Sequence, residues 1–326
     1  MIGKLDAETL STVLDKTGVS NPAVVTGAAY GEDAAAIDLG DETLVVSSDP
    51  ISLAAEAAGT LGVHVACNDI AAAGADPEFL TNVIFLPDDD TETIQTLTSQ
   101  LDAAADSLDV TIVGGHTEYV PTLARPLLSL TAFGRTDSHI STGGAESGDK
   151  LLLTKGAAIE ATGIIATDFV DELRADGVDE STIEHAADFF DEISVLPDSR
   201  ALRAVATAMH DPTEGGVYTG VIEMAAAADV DIVVDREAVP IRPETETVCA
   251  ALGIDPLRTF GSGALLATVA PDDVETATQQ LAAAGIDAAV IGEAVEPPAG
   301  SDSGALVLDG ERTVDGGGDA LYPFWE

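Results

Sequence analysis

Apolar residues follow two patterns along the chain, helical spacing in some segments and short continuous runs in others. These patterns predict a mixture of helices and strands. Short runs of β-branched and apolar residues predict strands. Segment 91–107 has its apolar residues at helical spacing, with Asp90 or Thr91 placed to cap it. The predicted strands are 43–49, 81–87, 110–115, 127–134, 151–154, 230–234 and 264–270. The predicted helices are 5–16, 53–74, 91–107, 158–167, 180–193, 199–208, 272–284 and one that begins after Gly216.

Both halves of the chain mix strands with helices, which favours layered α/β or α+β domains. Segment 141–150 is rich in Gly, Ser and charge and precedes a new strand, so we place a domain boundary there. This predicts a first α/β domain at 1–145 and a second, α+β domain at 146–296. Residues 297–326 form a loop-rich tail that ends in LYPFWE, which predicts that its aromatic end is held against an apolar surface.

The composition excludes several partners. The 326 residues include 58 acidic and 13 basic side chains, a formal net charge of −45. Nucleic acids and anionic membranes are bound through clusters of Lys and Arg, so we expect neither as a partner. Because 46% of the residues are hydrophobic, the chain has enough apolar surface for a normal core despite its charge.

The same charge suggests a salt-rich environment. At molar salt the screening length is about 3 Å, which suppresses repulsion among the acidic side chains. We therefore hypothesise a halophilic archaeal protein, with an acidic protein from ordinary salt as the alternative. No leader-like segment or long apolar run is found, so we expect a cytoplasmic location. Cys67 and Cys249 lie outside any metal-binding spacing and are expected to be buried.

Four segments with small residues and acids stand at the ends of predicted strands. They contain Asp33, Asp49, Asp69 and Glu118. A single Asp after a strand is usually a turn or cap residue, but one sheet edge could bring these four together. Asp69 is the most informative, because a charge inside an apolar helix is costly unless it is paired or bound to metal.

Converging carboxylates without Cys or His pairs suit a hard cation, which points to Mg²⁺ holding a polyphosphate. Gly31, Gly114 and Gly115 would allow backbone N–H groups to approach phosphate oxygens, although glycine pairs also form simple turns. The chain contains neither a Walker loop nor a GxGxxG segment after a strand.

A second candidate site precedes a predicted helix in the other half of the chain. A helix N-terminus after two glycines can bind an anion through its free N–H groups and its dipole. His210 is a candidate general acid or base, with a structural role as the alternative. The residues of this segment are His210, Asp211, Thr213, Glu214, Gly215 and Gly216.

Seven segments taken together resemble a known family. In chain order they are GEDAAAID (31–38), VVSSDP (45–50), CNDIAAAGADPEF (67–79), VGGHTEYVP (113–121), LTKGAAIEATGIIATDF (153–169), HDPTEGGV (210–217) and GSGALLAT (261–268). This order is similar to that of the aminoimidazole-ribonucleotide (AIR) synthase-related, or PurM-like, proteins, and within them to the branch of the hydrogenase-maturation protein HypE. The same superfamily contains thiamine-monophosphate kinase.

The resemblance implies a two-domain fold and a homodimer in which the N-terminal sheets of two chains join. It also implies that ATP lies in a cleft with Mg²⁺ held by Asp33, Asp49 and Asp69, and that Glu118 is a further candidate ligand. The residues implied at the nucleotide are Gly31, Asn68, Gly114, Gly115, His116, Thr117, Gly215 and Gly216.

Three departures from the family pattern stand out. His116 occupies a position that is acidic in related branches, and Glu214 stands where HypE proteins carry Arg. No Cys follows Cys249, whereas HypE proteins present a C-terminal Cys. The HDPTEGG segment favours a HypE-like enzyme that activates an amide- or carbamoyl-type oxygen by phosphoryl transfer, on a separate small molecule or a protein-borne group. The alternatives are a thiamine-monophosphate kinase-like enzyme and a non-catalytic nucleotide-binding dimer.

Overall fold

Two β-sheets, one from each half of the chain, organise the protein in a computed structural model that describes residues 3–5, 7–53, 56–301 and 303–325. The prediction that both halves of the chain contain helices and strands is confirmed. Part of the predicted helix 53–74, residues 54 and 55, lies outside the described residues, as does position 6 of the predicted helix 5–16.

The first sheet has six strands in the order β1-β2-β3-β6-β4-β5. Only β4 and β5 run parallel, because helix α3 carries the chain across between them; the other neighbours are antiparallel. The strands are β1 Val24–Thr26, β2 Ala35–Asp38, β3 Thr43–Ile51, β4 Asp76–Leu86, β5 Thr111–Tyr119 and β6 Leu127–Thr136. The helices of this half are α1 Ala7–Leu14, α2 Ala58–Ala72 and α3 Thr91–Ser107.

The second sheet has seven strands in the order β13-β12-β9-β11-β7-β10-β8, with β12 and β9 as its one parallel pair. Its strands are β7 Lys150–Thr154, β8 Ala206–His210, β9 Asp231–Val234, β10 Leu266–Val269, β11 Ala288–Val295, β12 Ala305–Leu308 and β13 Glu311–Thr313. The helices are α4 Ile159–Asp168, α5 Val170–Asp176, α6 Glu180–Ala187, α7 Leu196–Leu202, α8 Gly216–Ala228, α9 Pro243–Leu252 and α10 Val274–Ala283.

Helix α2 joins the two halves. Every one of its residues except Thr60 is buried, because one side packs on the first sheet and the other meets α7 and the second sheet. The Asn68 amide donates to the carbonyl of Ile193 (2.9 Å) and accepts from the backbone N–H of Val195 (2.9 Å). Helix α2 therefore fixes the two sheets relative to each other, and a cleft lies between them.

Two local predictions are confirmed and one is wrong. Asp90 caps α3, its side chain accepting a hydrogen bond from the backbone N–H of Thr93 (3.0 Å), and both cysteines are buried. The predicted helix 199–208 is wrong, since α7 ends at Leu202 and the chain then enters β8. Pairing of β8 with β10 overrides the helical preference of the alanines in this segment.

The last residues are more ordered than a loop-rich tail. Strands β12 and β13 extend the second sheet, and Asp302 and Glu326 lie outside the described residues. The Trp325 ring lies 5.6 Å from the Phe169 ring and 5.9 Å from that of Phe260, between centroids, which confirms that the aromatic end is held against an apolar surface. Within the described part of the chain, no helix has the length and apolar character needed to cross a membrane.

Candidate functional site

Three of the predicted acids come together at the boundary between the two halves. Asp49 lies near the end of β3, Asp69 lies inside α2, and Asp33 lies just before β2. The Ser47 hydroxyl hydrogen-bonds to Asp69 Oδ2 and lies 3.1 Å from Asp49 Oδ2. Burial raises the pKa of Asp69 well above its usual value, and the negative charges of Asp49, Asp33 and Asp211 raise it further. We call these four residues, Asp33, Asp49, Asp69 and Asp211, the acid cluster.

His210 ties this cluster to the second half of the chain. Its Nδ1 lies 2.9 Å from Asp33 Oδ1, and its Nε2 lies 3.1 Å from Glu223 Oε2 on α8. Burial alone would lower the pKa of His210, but the two carboxylates outweigh it and raise the pKa to about 10. Each ring nitrogen lies within hydrogen-bond distance of a carboxylate oxygen, and this geometry fixes the position of Asp33.

Asp211 is a buried acid whose side chain lacks a well-formed interaction. Its carboxylate oxygens are buried without a well-formed hydrogen bond, although the nearby Asn68 amide lowers its pKa in part. Burial and the charge of Asp33 outweigh that effect and raise the pKa of Asp211 well above its usual value. A buried carboxylate without a partner costs several kcal/mol, about as much as a lost charged hydrogen bond. A cation beside the acid cluster would relieve this cost.

The donor chemistry of the acid cluster fits Mg²⁺, which prefers carboxylate oxygens. Among the described residues, no group of three His, Cys, Asp or Glu side chains is placed to hold an ion unaided. Mg²⁺ typically uses one or two carboxylates together with substrate phosphates and water, so the arrangement suits an ion that arrives with a nucleotide.

The predicted anion site at the start of α8 is filled by the chain itself. The backbone N–H of Gly215 donates to Asp319 Oδ2 (2.7 Å), and that of Gly216 donates to the Thr213 carbonyl (3.0 Å). Burial raises the pKa of Asp319 to about 6, against the hydrogen bonds from Gly215, Leu321 and Thr259 that lower it. A carboxylate from the C-terminal segment thus takes the place that sequence reasoning gave to a phosphate.

The fold by itself explains why position 31 is a glycine. Its φ of +84° lies in the left-handed region, and a Cβ there would come within 2.8 Å of the Glu223 carbonyl oxygen. A side chain at this position would push α8 away from the loop that carries Asp33.

The segment Gly114–Glu118 is not brought to the acid cluster within one chain. It forms most of β5, the edge strand, and is exposed rather than forming a loop. Asp49, Leu130, Asn82 and Gly115 stand in one row across β3, β6, β4 and β5. At about 4.8 Å between strands, Gly115 lies about 14 Å from Asp49.

His116 and Glu118 lie side by side on this edge strand, with 3.2 Å between His116 Nε2 and Glu118 Oε2. Both side chains are more than half exposed. Thr117 lies between them on the same strand. The prediction that these residues join Asp33, Asp49 and Asp69 within one chain is therefore not met by the topology of the sheet.

Lys4 and Glu223 belong to the site but were missed by sequence reasoning. Lys4 Nζ donates to Thr213 Oγ1 (2.7 Å) and lies 3.5 Å from Glu214 Oε2 and 3.8 Å from Glu223 Oε1. Glu223 interrupts an apolar helix, as Asp69 does, so the same signal could have found it. Nothing in the sequence relates Lys4 to a segment more than two hundred residues away.

The two sheets, with the acid cluster between them, define a two-domain protein with the PurM-like fold. The family model "AIR synthase related protein, N-terminal domain" matches residues 31–136, and "AIR synthase related protein, C-terminal domain" matches residues 146–302. The chain belongs to the AIR synthase related family.

The similar proteins include a HypE. The carbamoyl dehydratase HypE of Rhizobium leguminosarum bv. viciae is 28% identical over 286 residues, which cover 81% of this chain and 77% of that protein. The structure of AaThiL complexed with AMPPCP and TMP superposes with a TM-score of 0.72 at 18% identity, covering 94% of this chain and 93% of that one. HypE in complex with ATP gives a TM-score of 0.65 at 24% identity, covering 90% of this chain and 89% of that one. The structural likenesses establish the fold.

Proposed function

We propose that the protein is an ATP- and Mg²⁺-dependent enzyme of the HypE-like branch, which activates an amide- or carbamoyl-type oxygen by phosphoryl transfer. The observation that carries the proposal is the acid cluster, in which four carboxyl groups from separate segments, those of Asp69 and Asp211 buried, share one place between the two halves. The HypE relative is a carbamoyl dehydratase, and structures of this fold have been solved with ATP and with AMPPCP.

In this proposal the γ-phosphoryl group passes from ATP to the substrate oxygen as the bond to ADP breaks. The bond from carbon to the phosphorylated oxygen then breaks and phosphate leaves, while the substrate nitrogen gives up its N–H protons to water and forms a further bond to the same carbon. Such transfers depend on positioning and charge neutralisation rather than on a covalent protein intermediate. Bound Mg²⁺ would neutralise the phosphate charge, with Asp33, Asp49 and Asp69 as its candidate ligands.

The chain's own residues would do the positioning. His210 and Glu223 hold Asp33 in place, so we assign them a positioning role. Asp211, which belongs to the same cluster, makes no well-formed hydrogen bond through its carboxyl group. Thr213 and Glu214, with Lys4 bound between them, line the substrate side, where the amine of Lys4 could meet a phosphate oxygen.

Calorimetric titration of the protein with ATP in molar KCl tests the proposal. We expect ATP to bind only with Mg²⁺ present, because four carboxylates repel an unaccompanied polyphosphate. Titration with Mg²⁺ replaced by excess chelator is the control. Equal affinity in both titrations would contradict the assignment of the acid cluster.

The likeness to AaThiL in complex with TMP supports a second candidate, a thiamine-monophosphate kinase-like enzyme. In a kinase the phosphate stays on the product, whereas in the dehydrating reaction it is released. Assaying thiamine diphosphate formed from thiamine monophosphate and ATP separates the two. Its formation at rates matching ATP consumption would favour the kinase.

We also propose that the protein is a homodimer joined through β5. This edge strand carries Val113 and Tyr119, which are 57% and 58% exposed, and the neighbouring β4 carries Phe79 at 45%. An exposed edge strand with apolar side chains is a template for pairing with another chain. A partner sheet would cover these side chains.

Replacing Val113 with Lys is expected to weaken the dimer, because a charge on an edge strand opposes pairing. Val314→Lys is the matched control, since Val314 is 54% exposed and lies outside the first sheet. Sedimentation equilibrium should show wild type and Val314→Lys as dimers and a larger monomer fraction for Val113→Lys. A monomeric wild type would refute the proposed dimer.

A further inference from the structure

A cavity of about 270 Å³ adjoins the acid cluster at Asp49 and extends between the two halves of the chain. Most of its wall is apolar, and both halves contribute to it. The apolar side chains are Ile51, Leu53, Val65, Ile164, Phe260 and Trp325. A ligand with an apolar body would find matching surface here.

Two buried polar side chains interrupt this apolar wall. Glu160, on the first turn of α4, is 5% exposed, and Ser262 is fully buried. The Ser262 hydroxyl makes no well-formed hydrogen bond, although Ser262 lies close enough to lower the pKa of Glu160 in part. Burial outweighs that effect and raises the pKa of Glu160 to about 7.

No basic side chain in the described part of the chain forms an ion pair with Glu160. Among the described residues that line the cavity, Lys4 is the one cation, and it already donates to Thr213 and pairs with Glu214. A carboxylate buried without a cation is held at a cost that a ligand could relieve by bringing its own N–H donors. Phe260 and Trp325 add aromatic faces, which attract cations.

We propose that this cavity binds a substrate with a protonated nitrogen group, such as an amine, amidine or guanidine, on an apolar body, and that Glu160 contacts that group. The inference deepens the proposed function, since it assigns the substrate side of the site whose phosphate side is the acid cluster. Ser262 would accept a further hydrogen bond from the same group.

Three isosteric probes test the charge requirement: benzamidine is cationic, benzamide neutral and benzoate anionic. Trp325 is the only tryptophan of the chain and lines the cavity, so its fluorescence reports occupancy directly. We expect benzamidine to bind at least about tenfold more tightly than benzamide, as charged hydrogen bonds are stronger than neutral ones, and benzoate to bind most weakly. Equal affinities for benzamidine and benzamide, or no benzamidine binding, would overturn the proposal.

Glu160→Gln keeps the shape of the side chain and removes its charge, so the preference for benzamidine over benzamide should disappear. Glu172→Gln, at an exposed position on α5, should keep it. An unchanged preference in a folded Glu160→Gln protein would overturn the assignment of Glu160. If that variant fails to fold, the comparison of the three probes on the wild-type protein still decides.

ATP titration of the same samples separates the two proposals. Wild-type protein that binds ATP with Mg²⁺ but shows no preference among the probes refutes the cavity proposal alone. Protein that prefers benzamidine but does not bind ATP refutes the proposed ATP-dependent function and leaves the cavity assignment standing.

Discussion

Asp69→Asn is expected to abolish Mg²⁺-dependent binding of ATP while stabilising the protein in the absence of ligand. Burial raises the pKa of Asp69, and the charges of the three acids beside it raise it further. Its negative charge is therefore unfavourable without a cation, and removing it should stabilise the free protein by about 1–2 kcal/mol. With a candidate metal ligand lost, the affinity for ATP in the presence of Mg²⁺ should fall about a hundredfold or more.

The two effects are measured on one preparation, by thermal unfolding without ligand and by calorimetric titration with ATP and Mg²⁺. Asn can still accept the hydrogen bond from Ser47, so the local geometry is kept. Asp89→Asn, in the exposed turn before α3, is the matched control and should leave both quantities unchanged. Loss of stability together with loss of binding would instead identify Asp69 as a structural residue.

Transfer to low salt is expected to unfold the protein. The net charge is −45, and most of the described basic side chains already pair with acids, such as Arg135 with Glu78 and Arg312 with Asp231. The screening length grows from about 3 Å in molar salt to about 30 Å at 0.01 M, so the unpaired acids then repel across the whole molecule. The loss of stability should be on the order of the whole free energy of unfolding, about 5–15 kcal/mol.

Circular dichroism and the melting temperature, followed as KCl is lowered, measure this effect. A parallel series in which sucrose replaces the salt at equal osmolality separates charge screening from solvent exclusion. Unchanged spectra and melting temperature at low salt would eliminate the halophile hypothesis and leave an acidic protein adapted to ordinary salt.

Three of the four members of the acid cluster could be predicted, and Asp211 joins them only in the structure. Asp33 and Asp49 stand beside strands and are informative only as a set that one sheet edge could bring together. Asp69 interrupts an apolar helix, which by itself indicates an unusual environment. Glu223 carries the same signal within α8, and it indeed contacts His210. A charged side chain among apolar neighbours costs free energy wherever its segment lies in the fold. The sequence alone therefore indicates that such a residue needs a partner.

Other features depend on which strands become neighbours. The sequence predicts a strand at 110–115, the first part of β5, but nothing local indicates that β6 and β4 stand between β5 and β3, which keeps Glu118 and His116 away from Asp49. Likewise, the sequence GG before α8 predicts an anion site, but only the folded chain shows that Asp319, about a hundred residues later, fills it. Strand order and such distant contacts are set by the packing of the whole chain.

The amino-acid sequence by itself determined the family and the presence of helices and strands in both halves, and it indicated the acids that we propose as metal ligands. Those conclusions rest on residue types and short-range spacing, which are properties of the covalent chain. Only the tertiary structure decided that His210 is held between Asp33 and Glu223, that Lys4 reaches Thr213, and that Glu160 lines a cavity without an ion-pair partner of its own. Each of these depends on segments far apart in sequence, and their proximity exists only once α2 has brought the two sheets together.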